Sequence, residues 1–596
     1  MNSVAPRWSL DTIYPGPTSR EFTKDIAELK RAITEAESAI EDTSLLERDS
    51  LQWLRTALPL YNRCTDLFEN LESYSYSIYS VDTSDRQAQN AITTVGTLSV
   101  PLSGLAVKFR EALSAVKCDL ESLPEFEDSA DPTDLSKYRY VLREERFFQS
   151  RQLSVAEEGL AADLARSGAD AWSRLQETLS SSLTVDWDNE TSKTVVELRN
   201  LAFHHDRSIR RKAWQLELEA WRTVETPMAF ALNGVKGATV VMNQRRGWDS
   251  TLERSIRQNR LSRKALDILI GEMERSLPLF RRYLTAKAKI LNLPRLSFYD
   301  IFASVGDNIT SWTFDEAIQF ISKKLGNFDP QIGNFVQTAS ERMWIDAQPR
   351  SGKVGGAYCI DFPIAGESRI LTNFDGSYDG VSTLAHELGH AWHSELLRDF
   401  PALQRRYPMT LAETASIFNE TFVFYQTLDE VAGTDQELYV LEQYLQGACQ
   451  VIIDILSRFY FESDVMEQRA DRELSADEFC TLMTTAQKKT YGDAMNFDEL
   501  HPYMWAVKGH YYRADLAFYN FPYAFGQLFG LGLYNQYERD GIDFASRYRS
   551  LLLETGRESA VAVAAAAGFD IESPDFWRGS LERVAGLVTR FEKLVR

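Results

Sequence analysis

The sequence predicts a mainly α-helical fold with a small β-sheet. From Phe22 to Ile40 the apolar residues recur at alternating spacings of four and three, with charged residues between them. This is the pattern of a long amphipathic helix. Strand signals are few, and the best is the segment Arg369–Phe374, bounded by Gly366 and Gly376. With 596 residues, 44% of them hydrophobic, the chain can bury a large core, as two lobes or as one large helical body.

Helical patterns continue along the chain. Further amphipathic runs cover Leu51–Leu60 and Phe68–Tyr79, and an Arg/Lys-rich helical stretch covers Arg207–Arg222. A weak boundary falls just before that stretch, at Val185–Glu190. We therefore predict an N-terminal helical lobe over residues 1–190 and a second lobe over residues 191–596.

Composition limits the classes of partner and compartment. A formal net charge of −21 argues against nucleic acid or an anionic membrane surface as a partner. The five cysteines are scattered, without the paired spacing of a disulfide framework, which fits a reducing compartment. The first residues lack an apolar signal region, and the longest apolar stretch, Ala560–Gly568, is too short to span a bilayer. We expect a soluble cytoplasmic protein.

The most informative motif is His386-Glu387-Leu388-Gly389-His390. Residues four apart lie on one face of a helix, so His386 and His390 can bind one metal ion. Glu387, beside the first histidine, can act as general base toward a water molecule on that ion. We expect one Zn²⁺ per chain, although the same ligands also suit cobalt or manganese.

Catalytic zinc usually takes three protein ligands, so the motif needs a third. A second helical pattern begins at Met409, and we expect Glu413 within it to be the third ligand. Glu420 lies on the same face, seven residues later, either as a carboxylate that orients a ligand histidine or as part of a solvated face. His393 is either a further ligand or a partly buried histidine that hydrogen-bonds near the site.

At these residues the chain resembles the oligoendopeptidase F family of thimet oligopeptidase-like zinc metallopeptidases. The resemblance extends over nearly the whole length, in the family's order, through Trp8–Asp11, Trp344–Tyr358, Arg369–Gly376, Leu411–Glu420, Gly509–Tyr512 and Phe518–Gly526. It implies a two-lobed helical zincin-like peptidase with a small β-sheet next to the zinc-binding helix and a central substrate channel. Residues 191–596 would then be the catalytic lobe. The implied activity is internal cleavage of short, unstructured peptides in the cytosol.

The resemblance also implies donors for the oxyanion that forms during peptide hydrolysis. Phenol and imidazole groups are suitable donors, and the family match places His510, Tyr519 and Tyr523 in this role, with Tyr512 in reserve. An aromatic cluster of this kind is otherwise ordinary core, since the chain has 25 tyrosines.

Two other functions remain open at this stage. Related helical zinc peptidases trim C-termini, so a peptidyl dipeptidase or carboxypeptidase is the alternative enzyme. A zinc-dependent peptide-binding protein without catalysis is the alternative outside the enzymes, and the intact Glu387 argues against it. The expected partners are short peptides, with neither nucleic acid nor membrane, and the oligomeric state is left open. The strand near Arg369 either offers an edge to a substrate backbone or belongs to an ordinary surface hairpin.

Overall fold

The computed structural model describes residues 5–123, 134–188, 190–306 and 311–595. Its described residues are mainly helical with small sheets, so the predicted fold class is confirmed. The chain forms two compact units, each built from three segments. The first unit comprises Met1–Gly159, Thr310–Gln426 and Leu533–Gly568, and the second comprises Leu160–Ile309, Thr427–Gly532 and Phe569–Arg596.

The α-helices and β-strands follow one another along the chain. The helices are α1 Arg20–Ile40, α2 Thr43–Arg48, α3 Ser50–Val81, α4 Arg86–Gly96, α5 Ser99–Ser114, α6 Arg139–Gln149, α7 Val155–Ser167, α8 Ala169–Ser182, α9 Val195–Asn200, α10 Arg207–Thr223, α11 Glu225–Arg245, α12 Thr251–Gln258, α13 Arg263–Ile290, α14 Phe314–Phe328, α15 Pro330–Glu341, α16 Tyr378–Leu397, α17 Ala402–Arg405, α18 Met409–Ala412, α19 Thr414–Glu430, α20 Gln436–Cys449, α21 Ile455–Arg469, α22 Ala476–Tyr491, α23 Met504–Val507, α24 Phe521–Asp540, α25 Phe544–Glu554, α26 Ala560–Ala566 and α27 Pro574–Leu594. The strands are β1 Thr184–Asp186, β2 Ser192–Thr194, β3 Ile345–Asp346, β4 Tyr358–Phe362 and β5 Glu367–Leu371.

The N-terminal helices form where the apolar periodicity predicts them. Helix α1 starts after Ser19, whose hydroxyl accepts a hydrogen bond from the backbone N–H of Phe22, and it buries Phe22, Leu29 and Ile33. The two runs at Leu51–Leu60 and Phe68–Tyr79 are parts of the single helix α3. Its core continues into α5, where Phe109 stacks on Trp53 with ring centroids 5.8 Å apart. Burial of this apolar face stabilises the first unit.

The division predicted at residue 190 concerns the linear sequence, whereas each compact unit gathers separated segments. That division stays a prediction. The segment Arg86–Ser114 has the length and composition of a membrane span, with a mean hydropathy of 1.3 over its window. It consists of two helices, α4 and α5, and a lone segment of this kind is weak evidence for a span.

The sheet of the first unit has the strand order β3–β5–β4. Strand β5 pairs in parallel with β3 and antiparallel with β4, where Ile360 lies opposite Arg369. The strand predicted at Arg369–Phe374 is therefore the central one, it runs from Glu367 to Leu371, and it has no free edge. Strands β3 and β4 are the outer strands of the described sheet. The outer edge of β4 pairs with no other described strand.

Buried cations tie this sheet to neighbouring segments. Arg369, 1% exposed, donates to the carbonyl of Ser9 at 2.8 Å and to the hydroxyl of Thr12 at 2.9 Å. Lys353 is paired with Asp346 at 2.7 Å and donates to the carbonyl of Thr372 at 2.6 Å. The glycine-rich loop before β4 is thus held against β3 and against the end of β5.

Helix α16 lies unusually close to the start of α19. A Cβ atom at Gly389 would lie 2.5 Å from Cα of Ser416 and 2.6 Å from the carbonyl oxygen of Ala415. Because both neighbours are backbone atoms, no side-chain rotation can relieve such a contact. Only glycine permits this spacing.

We expect Gly389→Ala to lower the unfolding temperature, since overpacking a close contact costs about 1–3 kcal/mol. Gly104→Ala is the matched control, because a Cβ at that helical glycine meets nothing within 4 Å. The control should be neutral or stabilising by up to about 1 kcal/mol. Thermal unfolding followed by circular dichroism makes the comparison, and equal unfolding temperatures for the two variants would contradict the packing argument.

Candidate metal centre and active site

Helix α16 carries the histidine motif. Its N-terminus is capped by Ser377, whose hydroxyl accepts a hydrogen bond from the backbone N–H of Gly380 at 3.0 Å. The helix then runs without a break to Leu397, so His386 and His390 share one face as the spacing predicts. Their ring centroids are 5.0 Å apart.

Glu413 joins the two histidines. It occupies the turn between α18 and α19, and its Oε2 lies 3.2 Å from Nε2 of His386 and 3.3 Å from Nε2 of His390. Ser416 donates its hydroxyl proton to the same oxygen at 2.7 Å. Among the described residues, His386, His390 and Glu413 form a three-residue group whose ligand atoms all lie within 4.8 Å of one another. The residues singled out as metal ligands are thus brought together.

Glu420 and Glu413 contact opposite ring nitrogens of His386. Oε2 of Glu420 is 3.1 Å from Nδ1 of His386, which points away from Glu413. A carboxylate at this position holds a proton on Nδ1 and leaves the lone pair of Nε2 free to bind a metal. Of the two readings from sequence, the geometry therefore favours the orienting carboxylate over the solvated face.

The side chains around the histidine motif carry more negative than positive charge. Burial opposes a charge on His386, but hydrogen bonds to Glu413 and Glu420 raise its pKa well above the usual value. Burial also disfavours the charge on Glu413, yet its hydrogen bonds to His386 and His390 hold its pKa far below the ordinary range. With Glu387 next to them, the carboxylates outnumber the imidazoles, and such a site attracts a cation.

Glu387 is the carboxylate without a fixed partner. It is 6% exposed, and its Oε2 is buried without a hydrogen-bond partner among the described residues. Burial raises its pKa, the charges of His386 and His390 oppose that rise, and nearby carboxylates add to it. A desolvated carboxylate of this kind is a suitable proton acceptor near neutral pH.

His393 lies apart from this group. It is fully buried, and its Nε2 lies 2.8 Å from the hydroxyl of Thr555 and 3.3 Å from the carbonyl of Leu552. Its ring stacks on Tyr407 with centroids 4.4 Å apart. Burial lowers its pKa to about 3, so the ring is neutral at physiological pH. His393 is therefore a hydrogen-bonded core histidine, as one of the two readings from sequence expects.

The predicted oxyanion donors form a group in the second unit. The ring centroids of His510 and Tyr519 are 4.8 Å apart, those of Tyr519 and Tyr523 5.1 Å, and those of His510 and Tyr523 6.5 Å. All three side chains are partly accessible to solvent. Tyr512, the reserve candidate, is 1% exposed and belongs to the core.

His510 is neutral in this environment. Burial lowers its pKa to about 4, and the positive charges of Arg458, Lys508 and Arg513 contribute to the shift. A neutral imidazole carries one N–H group and can donate a hydrogen bond without taking up a proton.

Ser394 and Asp361 lie next to the predicted site residues but are not among them. Ser394 follows His390 by four residues, the same interval that separates the two histidines, so its place on the metal-facing side of α16 could have been found. Asp361 accepts a hydrogen bond from Ser394 at 2.7 Å. No local pattern marks Asp361, because the contact depends on the pairing of β4.

Known protein families match the chain over most of its length. A profile described as Peptidase family M3 matches residues 200–583, and one described as Oligopeptidase F matches residues 127–184. Oligopeptidase PepF of Bacillus subtilis is 24% identical over 577 residues, which is 95% of this chain and 84% of the relative. Group B oligopeptidase PepB of Streptococcus agalactiae is 24% identical over 603 residues, which is 99% of this chain and 97% of the relative.

Solved structures share the fold. Oligoendopeptidase-F from Enterococcus faecium matches with a TM-score of 0.68 at 19% identity, covering 97% of this chain and 99% of the other. PZ peptidase A, solved with an inhibitor, matches with a TM-score of 0.73 at 16% identity, covering 95% and 97%. Since the first profile spans more than half of the sequence, the chain belongs to peptidase family M3 and is an oligopeptidase of the oligoendopeptidase F type.

Proposed function

We propose that the protein is a zinc metalloendopeptidase that hydrolyses internal bonds of short, unstructured peptides. The observation that carries this proposal is the convergence of His386, His390 and Glu413 beside the buried carboxylate of Glu387. Zinc peptidases use the same arrangement, in which three residues bind the metal and a fourth transfers protons.

The distances from the carboxylate of Glu413 to the two imidazoles fit a zinc ion. Tetrahedral coordination with Zn–N and Zn–O bonds of about 2.0–2.1 Å separates neighbouring ligand atoms by about 3.3 Å. The oxygen of Glu413 lies 3.2 and 3.3 Å from the two imidazole nitrogens. Two nitrogens and one oxygen are also the donor set of catalytic rather than structural zinc sites. When bound there, zinc polarises a peptide carbonyl and makes water a nucleophile near neutral pH.

The residues of the chain then divide the remaining tasks. Oε2 of Glu387 takes a proton from the attacking water and later delivers it to the leaving amine. Glu420 keeps the proton of His386 on Nδ1. His510, Tyr519 and Tyr523 donate hydrogen bonds to the oxyanion, a role that rests on the family resemblance.

The peptide substrate has a strand edge to pair with. Strand β4 bonds to β5 on one side only, among the described strands, and it packs against α16. An extended peptide adding to this edge runs past the metal ligands with its backbone satisfied by main-chain hydrogen bonds. Folded proteins do not offer such a strand, which accounts for a preference for short, unstructured peptides.

Short peptides are the partners that we propose, without nucleic acid or membrane, because the net charge of −21 repels polyanions. We propose the cytoplasm as the compartment, and all five cysteines are free thiols, as a reducing environment maintains.

The proposal is tested by turnover of internally quenched peptides that are amidated at the C-terminus, with products identified by mass spectrometry. We expect internal cleavage that a chelator abolishes and stoichiometric zinc restores. Cleavage only of peptides with a free C-terminal carboxylate would instead indicate a peptidyl dipeptidase or carboxypeptidase. One bound zinc per chain without cleavage of any peptide would indicate a peptide-binding protein.

Glu387→Gln separates proton transfer from metal binding. The variant keeps all three ligands, so zinc content measured by atomic absorption should stay at one per chain. The rate constant kcat should fall by at least about 10²–10⁴-fold, the usual contribution of general acid–base catalysis. Glu341→Gln, the same change at an exposed site on α15, is the control for altered charge. Turnover near that of the wild type would rule out Glu387 as the base.

Tyr523→Phe tests the oxyanion role. Removal of one donor typically lowers kcat by about 10²–10³-fold, with a smaller effect on KM. Tyr460→Phe is the control, because it removes a hydroxyl in the same unit that bonds to Glu274. A rise in KM with unchanged kcat would show that Tyr523 contributes uniform binding instead.

A further inference from the structure

A cavity of about 300 Å³ lies beside β4 in the first unit. Its walls come from β4 and the turn after it, the C-terminal half of α16, α17, and one face of α3. This volume is at the lower end of those that hold small ligands and is large enough for one long side chain. The polar group that β4 contributes to it is Asp361.

Asp361 lies close to the metal-binding residues. Its Oδ2 accepts a hydrogen bond from Ser394 at 2.7 Å, and Ser394 follows His390 on the same face of α16. Four residues of helix advance about 6 Å, which is the length of about two residues of an extended peptide. A substrate paired with β4 would therefore present a side chain to Asp361 within about two residues of the bond that is cut.

Neutral groups alone bond to the carboxylate of Asp361. Its other oxygen accepts from the hydroxyl of Ser368 at 2.9 Å, and among the described residues no cation forms an ion pair with it within 4.0 Å. The side chain is open to the cavity, while the surrounding protein removes much of its bulk solvation. That desolvation raises its pKa, and the hydrogen bonds from the two serines and the more distant charges of His390 and Arg405 oppose the rise.

The other charges around the cavity compensate one another. Arg405 bonds to Asp66 and lies 3.4 Å from Glu69. Arg406 acts on the same two carboxylates.

Two further ion pairs lie in the walls of the cavity. Arg398 is paired with Glu395 at 2.8 Å, and Glu367 with Arg369 at 2.9 Å. Asp361 is thus the one carboxylate lining the cavity that forms no ion pair within 4.0 Å among the described residues, and Arg405 acts on it only from a longer distance.

We propose that Asp361 is a specificity-determining residue that selects a lysine or arginine side chain of the peptide within two residues of the cleaved bond. The inference rests on the proposed endopeptidase function and adds a substrate class to it. A cationic side chain entering the cavity supplies the missing counter-charge, and its alkyl stem packs between β4 and α16. The hydroxyls of Ser368 and Ser394 hold the carboxylate in place before the substrate arrives.

The test uses quenched peptides that are blocked at both ends, so that side chains carry the only cationic groups. One series places lysine or its uncharged analogue norleucine at each position around the cleaved bond, and a second compares arginine with citrulline. We expect kcat/KM to be about 10–100-fold higher for the cationic member at one position, the size expected for a hydrogen-bonded charge. Asp361→Asn keeps the size of the side chain, with one serine donating to the amide oxygen and the other able to accept from the amide nitrogen. This variant should lower the ratio of kcat/KM between cationic and uncharged peptides to about one.

Asp399→Asn is the control for net charge, because Asp399 lies near the same end of α16 with 89% of its side chain exposed. It should keep the wild-type preference. Equal kcat/KM for lysine and norleucine at every position, or an equal loss on all peptides in Asp361→Asn, would overturn the proposal while leaving the endopeptidase function intact.

A binding measurement covers the case in which no peptide is cleaved. Dissociation constants of the lysine and norleucine peptides are compared by calorimetry in zinc-loaded Glu387→Gln protein, with and without Asp361→Asn. Tighter binding of the lysine peptide that requires Asp361 supports the proposal, and equal binding overturns it.

Discussion

The close approach of α16 to the start of α19 is the constraint on which the metal centre depends. Gly389 lies between the two histidines in sequence and faces the backbone of Ser416, three residues after Glu413. A side chain at Gly389 would hold the two helices apart and move Glu413 out of reach of both imidazoles. The same approach brings Glu420 against the far side of His386. One missing Cβ therefore sets the spacing of four functional side chains.

The small sheet depends on buried cations rather than on its own length. Strand β3 has two residues, and β4 and β5 have five each, which is little for independent stability. Arg369 compensates by binding the chain near Ser9, and Lys353 by joining the loop before β4 to Asp346 and Thr372. The N-terminal segment at Trp8–Asp11 is thereby part of the scaffold of β4, although it is far from the metal-binding motif in sequence.

The charged side chains of the first unit differ in their pairing, and this difference separates structural from functional residues. Around the cavity beside β4, the arginines and most carboxylates compensate one another, and such pairs largely fix geometry. Glu387, which is buried, and Asp361, which is open to the cavity, differ because no cation of the described residues contacts either carboxylate, and the surrounding protein raises the pKa of both. A group of this kind costs stability and is retained where a substrate or a proton completes its interactions.

The sequence by itself determined the helical character of the chain, the positions of helices in α1 and α3, and the helix face that His386 and His390 share. These features follow from periodicities within a few residues. Glu413 and Glu420 could be named from spacing on a second helix. Their position against the two nitrogens of His386 was decided only by the packing of α16 on α19. The strand near Arg369 was predicted, but its central place in the sheet was not, since strand order depends on pairing partners elsewhere in the chain. Asp361 shows the limit most clearly: its significance comes from a hydrogen bond across 33 residues of sequence to Ser394, and only the tertiary structure brings those two side chains together.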